Sequence, residues 1–267
     1  MNVNFGLTAE DYAKHRAGFP DAFFERVFDD GIVKAGDSLV DLGTGTGTLA
    51  RGFAQRGCNV IGLDISAQLL EQAKDLGEQA GLSVDFRFAK AEATGLPDDS
   101  FDVVSAGQCW HWFDRPIAAA EVKRILKPDG HVVIAHFDWL PLKDNIVDET
   151  ERLIQKYNPK WYETFANGFG LYPQWLRDLG EAGFLGIQTF SFDMDVPYSH
   201  EAWRGRIRAS AGVGASLSDG DVSRFDSELK SMLEAREQAE VKKEADLHPV
   251  LKIPHRVFVV HARKSDL

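Results

Sequence analysis

The sequence predicts an α/β protein built on a doubly wound, mostly parallel sheet. From residue 38 onward, short apolar segments rich in β-branched and aromatic residues alternate with amphipathic segments of helical periodicity. The connections between these segments are short, as in sheets built from parallel βαβ units. A glycine-rich stretch, Gly43-Thr44-Gly45-Thr46-Gly47, follows the first apolar segment, where such sheets bind ligands.

Seven segments have the composition of strands: 38–42, 59–64, 84–89, 101–106, 131–137, 186–196 and 255–264. Apolar residues recur at helical spacing in residues 47–56, 67–80 and 115–126, which predicts three helices between the early strands. Lys127-Pro128-Asp129-Gly130 then predicts a turn, because proline and glycine interrupt a helix.

After Pro141 the regular alternation stops, and residues 146–157, 173–184 and most of 199–246 have helical patterns. We therefore expect a single domain, residues 1–267, with a sheet core and a helical cap. The predicted core is about 35–141, 172–196 and 255–264, and the predicted cap is about 1–34, 142–171 and 197–254. Ligands of open α/β sheets bind at the carboxyl ends of the strands, so we expect the cap there.

Composition limits the partners of the protein. The chain has 267 residues and a formal charge of −11, which disfavours binding to nucleic acid or to an anionic membrane. The two cysteines imply no disulfide framework or thiolate metal site. His131 and His136 are five positions apart on one predicted strand and point to opposite faces, so we expect no metal. We see no signal peptide or membrane-spanning run, and expect a cytoplasmic monomer or homodimer.

The spacing of the three glycines narrows the choice of ligand. The dinucleotide fingerprint is G-x-G-x-x-G, whereas here the glycines are residues 43, 45 and 47, with Thr48 in the third fingerprint position. Asp64 ends the next strand, 21 positions after Gly43, where a carboxylate accepts the two hydroxyls of a ribose. These residues indicate a nucleoside ligand rather than a pyrophosphate, although a tight turn without a ligand has the same pattern.

Four motifs resemble the class I S-adenosylmethionine-dependent methyltransferases, in the group called methyltransferase type 11. They are DLGTGTG (41–47), NVIGLD (59–64), LPDDSFDVVSA (96–106) and RILKPDGHVVI (124–134). QCWHWFD (108–114), together with Tyr12 and Arg16 ahead of Phe19-Pro20, further resembles the trans-aconitate methyltransferase-like branch. The sequence departs from that branch in reading CWHWF for A-x-HWF and RAGFP for RPxYP.

The resemblance implies a seven-stranded Rossmann-like sheet, S-adenosyl-L-methionine as cofactor, and a set of cofactor-binding residues. The glycine-loop backbone would pass the methionine part, Asp41 would lie near its ammonium, Asp64 would bind the ribose and Ile65 would pack on the adenine. Ala91 and Glu92 would lie at the adenine edge, although Lys90 stands where many relatives have an acid. The full implied set is Tyr12, Arg16, Asp41, Gly43, Thr44, Gly45, Gly47, Asp64, Ile65, Ala91, Glu92 and Gln108.

The implied reaction is methyl transfer to a small-molecule acceptor, for which a carboxylic acid is one candidate. His111 is the candidate catalytic base, and the alternative is that it orients a loop or lines the pocket. A protein that binds the cofactor without transferring methyl would have the same motifs, so that function stays open. The glycine spacing disfavours a nicotinamide-dependent oxidoreductase.

Two further groups of residues have both a functional and a structural interpretation. Trp110, Trp112 and Phe113 could form a wall of the acceptor pocket or fill the core. Arg204 and Arg208 share one face of a predicted helix and could clamp a carboxylate substrate, or could form ion pairs within the cap.

Overall fold

A computed structural model describes residues 18–161, 169–241 and 250–265. The chain divides into two compact units. The described residues of the larger unit are 18–137, 171–192 and 257–265; those of the smaller unit are 138–161, 169–170, 193–241 and 250–256. Residues 18–34 are part of the larger unit, whereas the sequence prediction placed them in the cap.

The described residues form eight α-helices and seven strands. In chain order they are α1 (Asp21–Asp29), β1 (Ser38–Leu42), α2 (Thr48–Gln55), β2 (Asn59–Asp64), α3 (Ala67–Gln79), β3 (Asp85–Phe88), β4 (Phe101–Gly107), α4 (Arg115–Ile125), β5 (Leu126–Trp139), α5 (Ile146–Tyr157), α6 (Gln174–Glu181), β6 (Phe184–Tyr198), α7 (His200–Arg208), α8 (Asp219–Val241) and β7 (Leu251–Lys264). All seven predicted strands are confirmed. Helix α1 was not predicted; it buries Phe23, Phe24 and Val27 on one face.

The strands form one sheet in the order β3-β2-β1-β4-β5-β7-β6. Strand β1 pairs in parallel with β2 on one side and with β4 on the other, and β2–β3 and β4–β5 are parallel too. The strand order therefore reverses between β1 and β4. Ligands of doubly wound sheets bind at the carboxyl ends of the strands at this switch point, where the glycine loop follows β1.

The core of the larger unit is formed by the central strands and the helices packed on them. Val40, Val104 and Ile134 are buried on β1, β4 and β5, and Val122 of α4 packs in the same cluster. Central parallel strands are covered on both faces, which explains why their sequences are almost continuously apolar. Asp41 of β1 and Ser105 of β4 are buried polar exceptions.

The predicted turn at residues 127–130 is an irregularity within β5. The pairing register between β4 and β5 shifts there, and Asp129 has a φ of 60°. A Cβ on Gly130 would lie 2.9 Å from the carbonyl oxygen of Lys127. The chain therefore turns within β5 before the residues predicted as the strand.

The smaller unit has a separate core of helical residues. Trp203 and Ile207 of α7 pack with Phe225 and Leu229 of α8 and with Ile154 of α5, and all are buried. The predicted helical stretch 199–246 is divided into α7 and α8. In the described part of the chain, no helix has the length and apolar character needed to cross a bilayer.

Candidate active site

The glycine loop after β1 has three residues in the left-handed region. The φ angles of Gly43, Gly45 and Gly47 are 58°, 57° and 78°. A Cβ on Gly43 would lie 2.9 Å from the Cys109 sulfur, and one on Gly47 would lie 2.8 Å from the Phe86 ring. A Cβ on Gly45 would have no protein atom within 4 Å. Protein packing thus accounts for Gly43 and Gly47, while Gly45 leaves its backbone accessible to a ligand.

Asp64 connects the end of β2 to this loop. Its Oδ2 accepts a hydrogen bond of 2.8 Å from the Gly45 N–H, and its Oδ1 accepts one of 2.8 Å from the Ser66 N–H. An ionised carboxylate has about four acceptor positions, so roughly two remain for a ligand. The carboxylate that the sequence assigned to a ribose therefore lies beside the accessible glycine.

Two large apolar side chains at this edge of the sheet are exposed. Ile65 follows Asp64 and is 64% exposed, and Phe88 at the end of β3 is 68% exposed. Phe88 is the register partner of Asp64 in the neighbouring strand. Exposed apolar residues beside a carboxylate suit a ligand that has a ribose and a flat ring. Phe88 was not predicted as a site residue, although an aromatic residue closing a strand was visible in the sequence.

Asp41 has internal partners that the sequence did not predict. Its Oδ2 accepts a 2.6 Å hydrogen bond from the Thr44 hydroxyl, and its Oδ1 accepts a 2.7 Å bond from the Ser105 hydroxyl. Burial raises the pKa of Asp41 to about 6, against the lowering effect of these two bonds. Asp41 therefore holds the glycine loop to β4. The only sequence evidence for Ser105 was a hydroxyl residue among the apolar residues that end the segment FDVVSA.

Ala91 and Glu92 follow β3. Ala91 is buried, and the Glu92 carboxylate accepts a 2.9 Å hydrogen bond from the Asp114 N–H at the start of α4. The Asp114 side chain makes no capping bond itself, so Glu92 satisfies one of the free N–H groups of this helix end. Lys90 is exposed. In this arrangement, Glu92 connects the loop after β3 to α4.

Comparisons with known proteins agree with this geometry. The profile of a methyltransferase domain family matches residues 40–134. An uncharacterized methyltransferase of Schizosaccharomyces pombe is 29% identical over 194 residues, covering 71% of this chain and 74% of that protein. The structure of YcgJ from Bacillus subtilis has a TM-score of 0.57 at 19% identity, covering 93% of this chain and all of that one (100%).

A further similar structure contains S-adenosyl-L-methionine. Phosphoethanolamine N-methyltransferase 2 of Haemonchus contortus in complex with S-adenosyl-L-methionine has a TM-score of 0.56 at 18% identity, covering 98% of this chain and 57% of that one. The family match begins in β1 and ends in β5, so it includes the glycine loop and Asp64. The chain is an S-adenosylmethionine-dependent methyltransferase.

S-adenosylmethionine is the cofactor of this methyltransferase, and the residues present fit it. Gly45 leaves open backbone, Asp64 keeps free acceptor positions, and Ile65 exposes an apolar side chain. Tyr12 and Arg16, which the sequence placed near the methionine end, lie outside the described residues.

Gln108 directly follows β4 of the methyltransferase and has an unusual backbone conformation. Its φ is 61°, a left-handed value that costs energy for a residue with a side chain. Its backbone N–H donates to the Ala135 carbonyl over 2.8 Å, and its Nε2 donates to the Phe137 carbonyl over 3.2 Å. Both bonds go to β5, which holds the strained turn at the switch point. Cys109 beside it is buried and donates to the Leu42 carbonyl over 3.1 Å.

The aromatic residues after Gln108 have different environments. Trp110 is fully buried and its Nε1 donates to Asp178 over 3.0 Å. Phe113 is partly buried against the same core, with its ring centroid 5.9 Å from that of Trp110. Trp112 is 41% exposed. Of the two interpretations from sequence, core filling therefore holds for Trp110, while Trp112 is at the surface.

His111 lies next to a second histidine that the sequence did not indicate as a site residue. The ring centroids of His111 and His136 are 5.5 Å apart, and the Tyr172 hydroxyl lies 3.2 Å from His136 Nδ1. Tyr172 also stacks on Trp175, with centroids 4.1 Å apart and ring planes 6° apart. Sequence periodicity could not reveal this cluster, because its residues come from segments 25 to 64 positions apart.

Arg204 and Arg208 of the smaller unit do clamp a carboxylate, but it is the protein's own. Arg204 Nε and Arg208 Nη1 donate to Asp226 over 3.0 and 2.8 Å, and both arginines also bind Glu201 over 2.9 Å. The ion-pair interpretation of this sequence is therefore correct for these two residues. In the described part of the chain, Asp226 of α8 occupies the position between these two arginines that a substrate carboxylate would take.

Proposed function

We propose that this methyltransferase transfers a methyl group to a small-molecule carboxylic acid, and that it is related to the trans-aconitate methyltransferase-like branch. The observation behind this proposal is that the three acids assigned to the site already have internal partners. Asp41 binds two hydroxyls, Asp64 two backbone N–H groups and Glu92 one. An acceptor carboxylate suits such a site, because it needs no base to remove a proton before it attacks.

S-adenosylmethionine supplies a methyl group that the sulfonium has already activated. The residues proposed to hold it are those implied by the sequence: the Gly43–Gly47 backbone at the methionine part, Asp64 at the ribose and Ile65 at the adenine. Asp41 would lie near the ammonium of the cofactor, and it holds the glycine loop in place through its hydrogen bonds to Thr44 and Ser105. The contribution of the protein to the reaction would be alignment of the acceptor and exclusion of water.

For His111 we propose a contact with the acceptor rather than proton removal. Its ring lies beside His136, which the Tyr172 hydroxyl orients. A hydrogen bond from one of these imidazoles would orient the carboxylate for in-line attack. If His111 is the general base, kcat must fall at low pH as the imidazole becomes protonated. The dependence of kcat on pH in His111→Gln must then lack that fall. We expect His111→Gln to lower kcat with no change in the shape of the pH profile.

The other partner predictions follow from charge and composition. With a formal charge of −11, we expect no nucleic acid or membrane partner. We further propose a cytoplasmic protein that acts as a monomer or homodimer.

The proposal is tested by assaying S-adenosylhomocysteine formation with a panel of acceptors. The panel contains di- and tricarboxylic acids including trans-aconitate, their neutral methyl esters as controls, and amines, phenols and quinols of similar size. We expect turnover with free acids, and mass spectrometry should identify the product as a methyl ester. Methylation of an amine, phenol or quinol with no turnover of any acid would overturn the carboxylic acid proposal.

A further inference from the structure

Strand β3 of the larger unit carries two phenylalanines with opposite environments. Phe86 is buried, and its ring lies against the glycine loop and β2. A Cβ on Gly47 would lie 2.8 Å from this ring, and one on Gly62 would lie 2.6 Å from it. Phe88, two residues further along and at the end of the strand, is exposed. The first ring fills the core, and the second is accessible to a ligand.

The sheet order shows where Phe88 lies relative to the glycine loop. Side chains two positions apart on a strand share a face, so Phe88 lies on the same face as Phe86 and the loop. Phe88 is the register partner of Asp64 in β2, and neighbouring strands are about 4.8 Å apart. In the order β3-β2-β1, Asp64 lies between Phe88 and the loop that follows β1. A ligand with its amino acid part at the loop and its ribose at Asp64 therefore extends its base towards Phe88.

The surface at this end of β2 and β3 is apolar. Ile65 directly follows β2, Phe88 ends the adjacent strand, and both side chains are more than half exposed. A flat base that covers two such side chains removes apolar surface from water. An aromatic side chain can pack on any base, because every base has a π face. This surface therefore suits the shape of a purine more than its pattern of hydrogen-bonding groups.

The polar residues that follow β3 do not direct an acceptor to the base. Lys90 is exposed, and an ammonium group only donates hydrogen bonds, so it cannot accept one from the amino group of adenine. Residues 89–92 include one carboxylate, that of Glu92. It accepts the Asp114 N–H over 2.9 Å at the start of α4, where the helix dipole favours a negative charge. The position of Glu92 is therefore set by α4.

We propose that Phe88 packs on the base of the cofactor, and that this apolar packing, rather than a hydrogen bond to the 6-amino group, determines affinity for the base. The inference rests on the proposed binding of the ribose by Asp64, and it does not depend on the chemical class of the acceptor. It implies that the cofactor site accepts purine nucleosides that lack the amino group at position 6.

The first test compares two ligands by calorimetry on the wild-type protein. One is S-adenosylhomocysteine, and the other is its 6-deamino analogue, in which purine replaces adenine and the N1 acceptor is retained. We expect the two dissociation constants to agree within about 5-fold. A carboxylate that accepts from the amino group would make the analogue about 10- to 100-fold weaker. A difference larger than about 5-fold would overturn the inference.

Replacing Phe88 tests the packing itself. Phe88→Ala should weaken both ligands by the same factor, about 5- to 50-fold, because it removes the ring from the base. Phe88→Tyr retains the ring and should bind both ligands like the wild type. Phe169→Ala is the matched control, since it removes another exposed phenyl ring, from the smaller unit. Unchanged affinity in Phe88→Ala, or an equal loss in Phe169→Ala, would overturn the role of Phe88.

Two further measurements separate packing on the base from other roles. Because Phe88 is exposed, ligand-free Phe88→Ala should unfold at close to the wild-type temperature. A large loss of stability would show a structural role and overturn the inference. Glu92→Ala should change the affinity for both ligands by the same factor. A loss of affinity for S-adenosylhomocysteine alone would identify Glu92 as the partner of the amino group and would overturn the inference too.

The binding tests distinguish this inference from the proposed function. Neither ligand carries a transferable methyl group, so the results do not depend on which acceptor is methylated. Methylation of amines but of no acid would overturn the proposed acceptor and leave the Phe88 contact in place. Wild-type affinity in Asp64→Ala would remove the ribose placement from which the position of the base follows, and would overturn the inference about Phe88.

Discussion

The two units of this methyltransferase satisfy their charged groups in different ways. In the larger unit, Asp41, Asp64 and Glu92 accept hydrogen bonds from backbone N–H groups and hydroxyls. In the smaller unit, Asp226 and Glu201 are bound by guanidiniums. A site built from backbone donors depends on local φ angles and strand register, which a short motif determines. A site built from ion pairs depends on which helices meet, and no short motif determines that.

This difference has a consequence for ligand binding. The hydrogen bonds of the glycine loop are already formed within the protein, so cofactor binding should require little rearrangement of the described loop. Arg204 and Arg208 of α7, by contrast, share the carboxylates of Glu201 and Asp226, so their pairing depends on the packing of α7 against α8. The following predictions test the contrast, beginning with the largest expected effect.

Replacing Gly45 with valine should weaken cofactor binding by more than about 100-fold, because a β-branched side chain would fill the open space beside Asp64. Gly81→Val is the matched control. Gly81 has a φ of 67° and also has no protein atom near its Cβ position, but it lies after α3. Both variants should lose about 1–2 kcal/mol of stability from the left-handed backbone. Calorimetry with S-adenosylhomocysteine should show normal affinity only for Gly81→Val; normal affinity in both would contradict the role of Gly45.

Replacing Asp41 with asparagine should change how stability depends on pH. The folded pKa of about 6 lies above the unfolded value of 3.8, so folding favours the protonated form. The stabilising contribution is complete below pH 3.8 and is lost as pH rises through 6, a change of about 3 kcal/mol. The asparagine side chain cannot ionise, so the free energy of unfolding of Asp41→Asn relative to wild type should rise between pH 4 and pH 7. Urea titrations at both pH values measure this difference in the free energy of unfolding. An equal difference at pH 4 and pH 7 would show that the pKa of Asp41 is not raised by burial.

Asp64→Ala should weaken cofactor binding by about 1.5–3 kcal/mol, because it removes charge-assisted bonds to the ribose. The variant also loses the bonds to Gly45 and Ser66, so a control must separate loop structure from ribose binding. Ser66→Ala serves this purpose. It removes the cap of α3 and should cost about 0.5–2 kcal/mol of stability, with little effect on affinity. An unchanged Kd in folded Asp64→Ala would refute the ribose assignment.

In the smaller unit, Asp226→Asn should lower stability by about 1–3 kcal/mol, because it leaves two partly buried guanidiniums with only the exposed Glu201 carboxylate. Glu228→Gln should have no measurable effect, since Glu228 pairs with the exposed Lys156 and an amide can still accept from Tyr157. Chemical unfolding of both variants tests this. Cofactor affinity should stay at the wild-type value in each, and a loss in Asp226→Asn would show that the ion pairs support the cofactor site.

The sequence was most informative where local chemistry decides the structure. Residues 38–42, 59–64 and 146–157 form elements with the predicted bounds, since alternating and helical periodicity reflect burial along one segment. The glycine loop was equally predictable, because left-handed φ angles and close packing restrict those positions to glycine.

Tertiary structure decided the partners of each side chain. The bond from Ser105 to Asp41 depends on the register between β1 and β4, and the contact of His111 with His136 depends on β5. The sequence left open whether Arg204 and Arg208 bind a substrate carboxylate or form ion pairs, and the packing of α7 against α8 supplies Asp226 to both. The sequence by itself determined which groups have charge and where the backbone must turn. Only the fold determined which charges are neutralised within the protein, because pairing between residues far apart in the chain depends on how helices and strands pack.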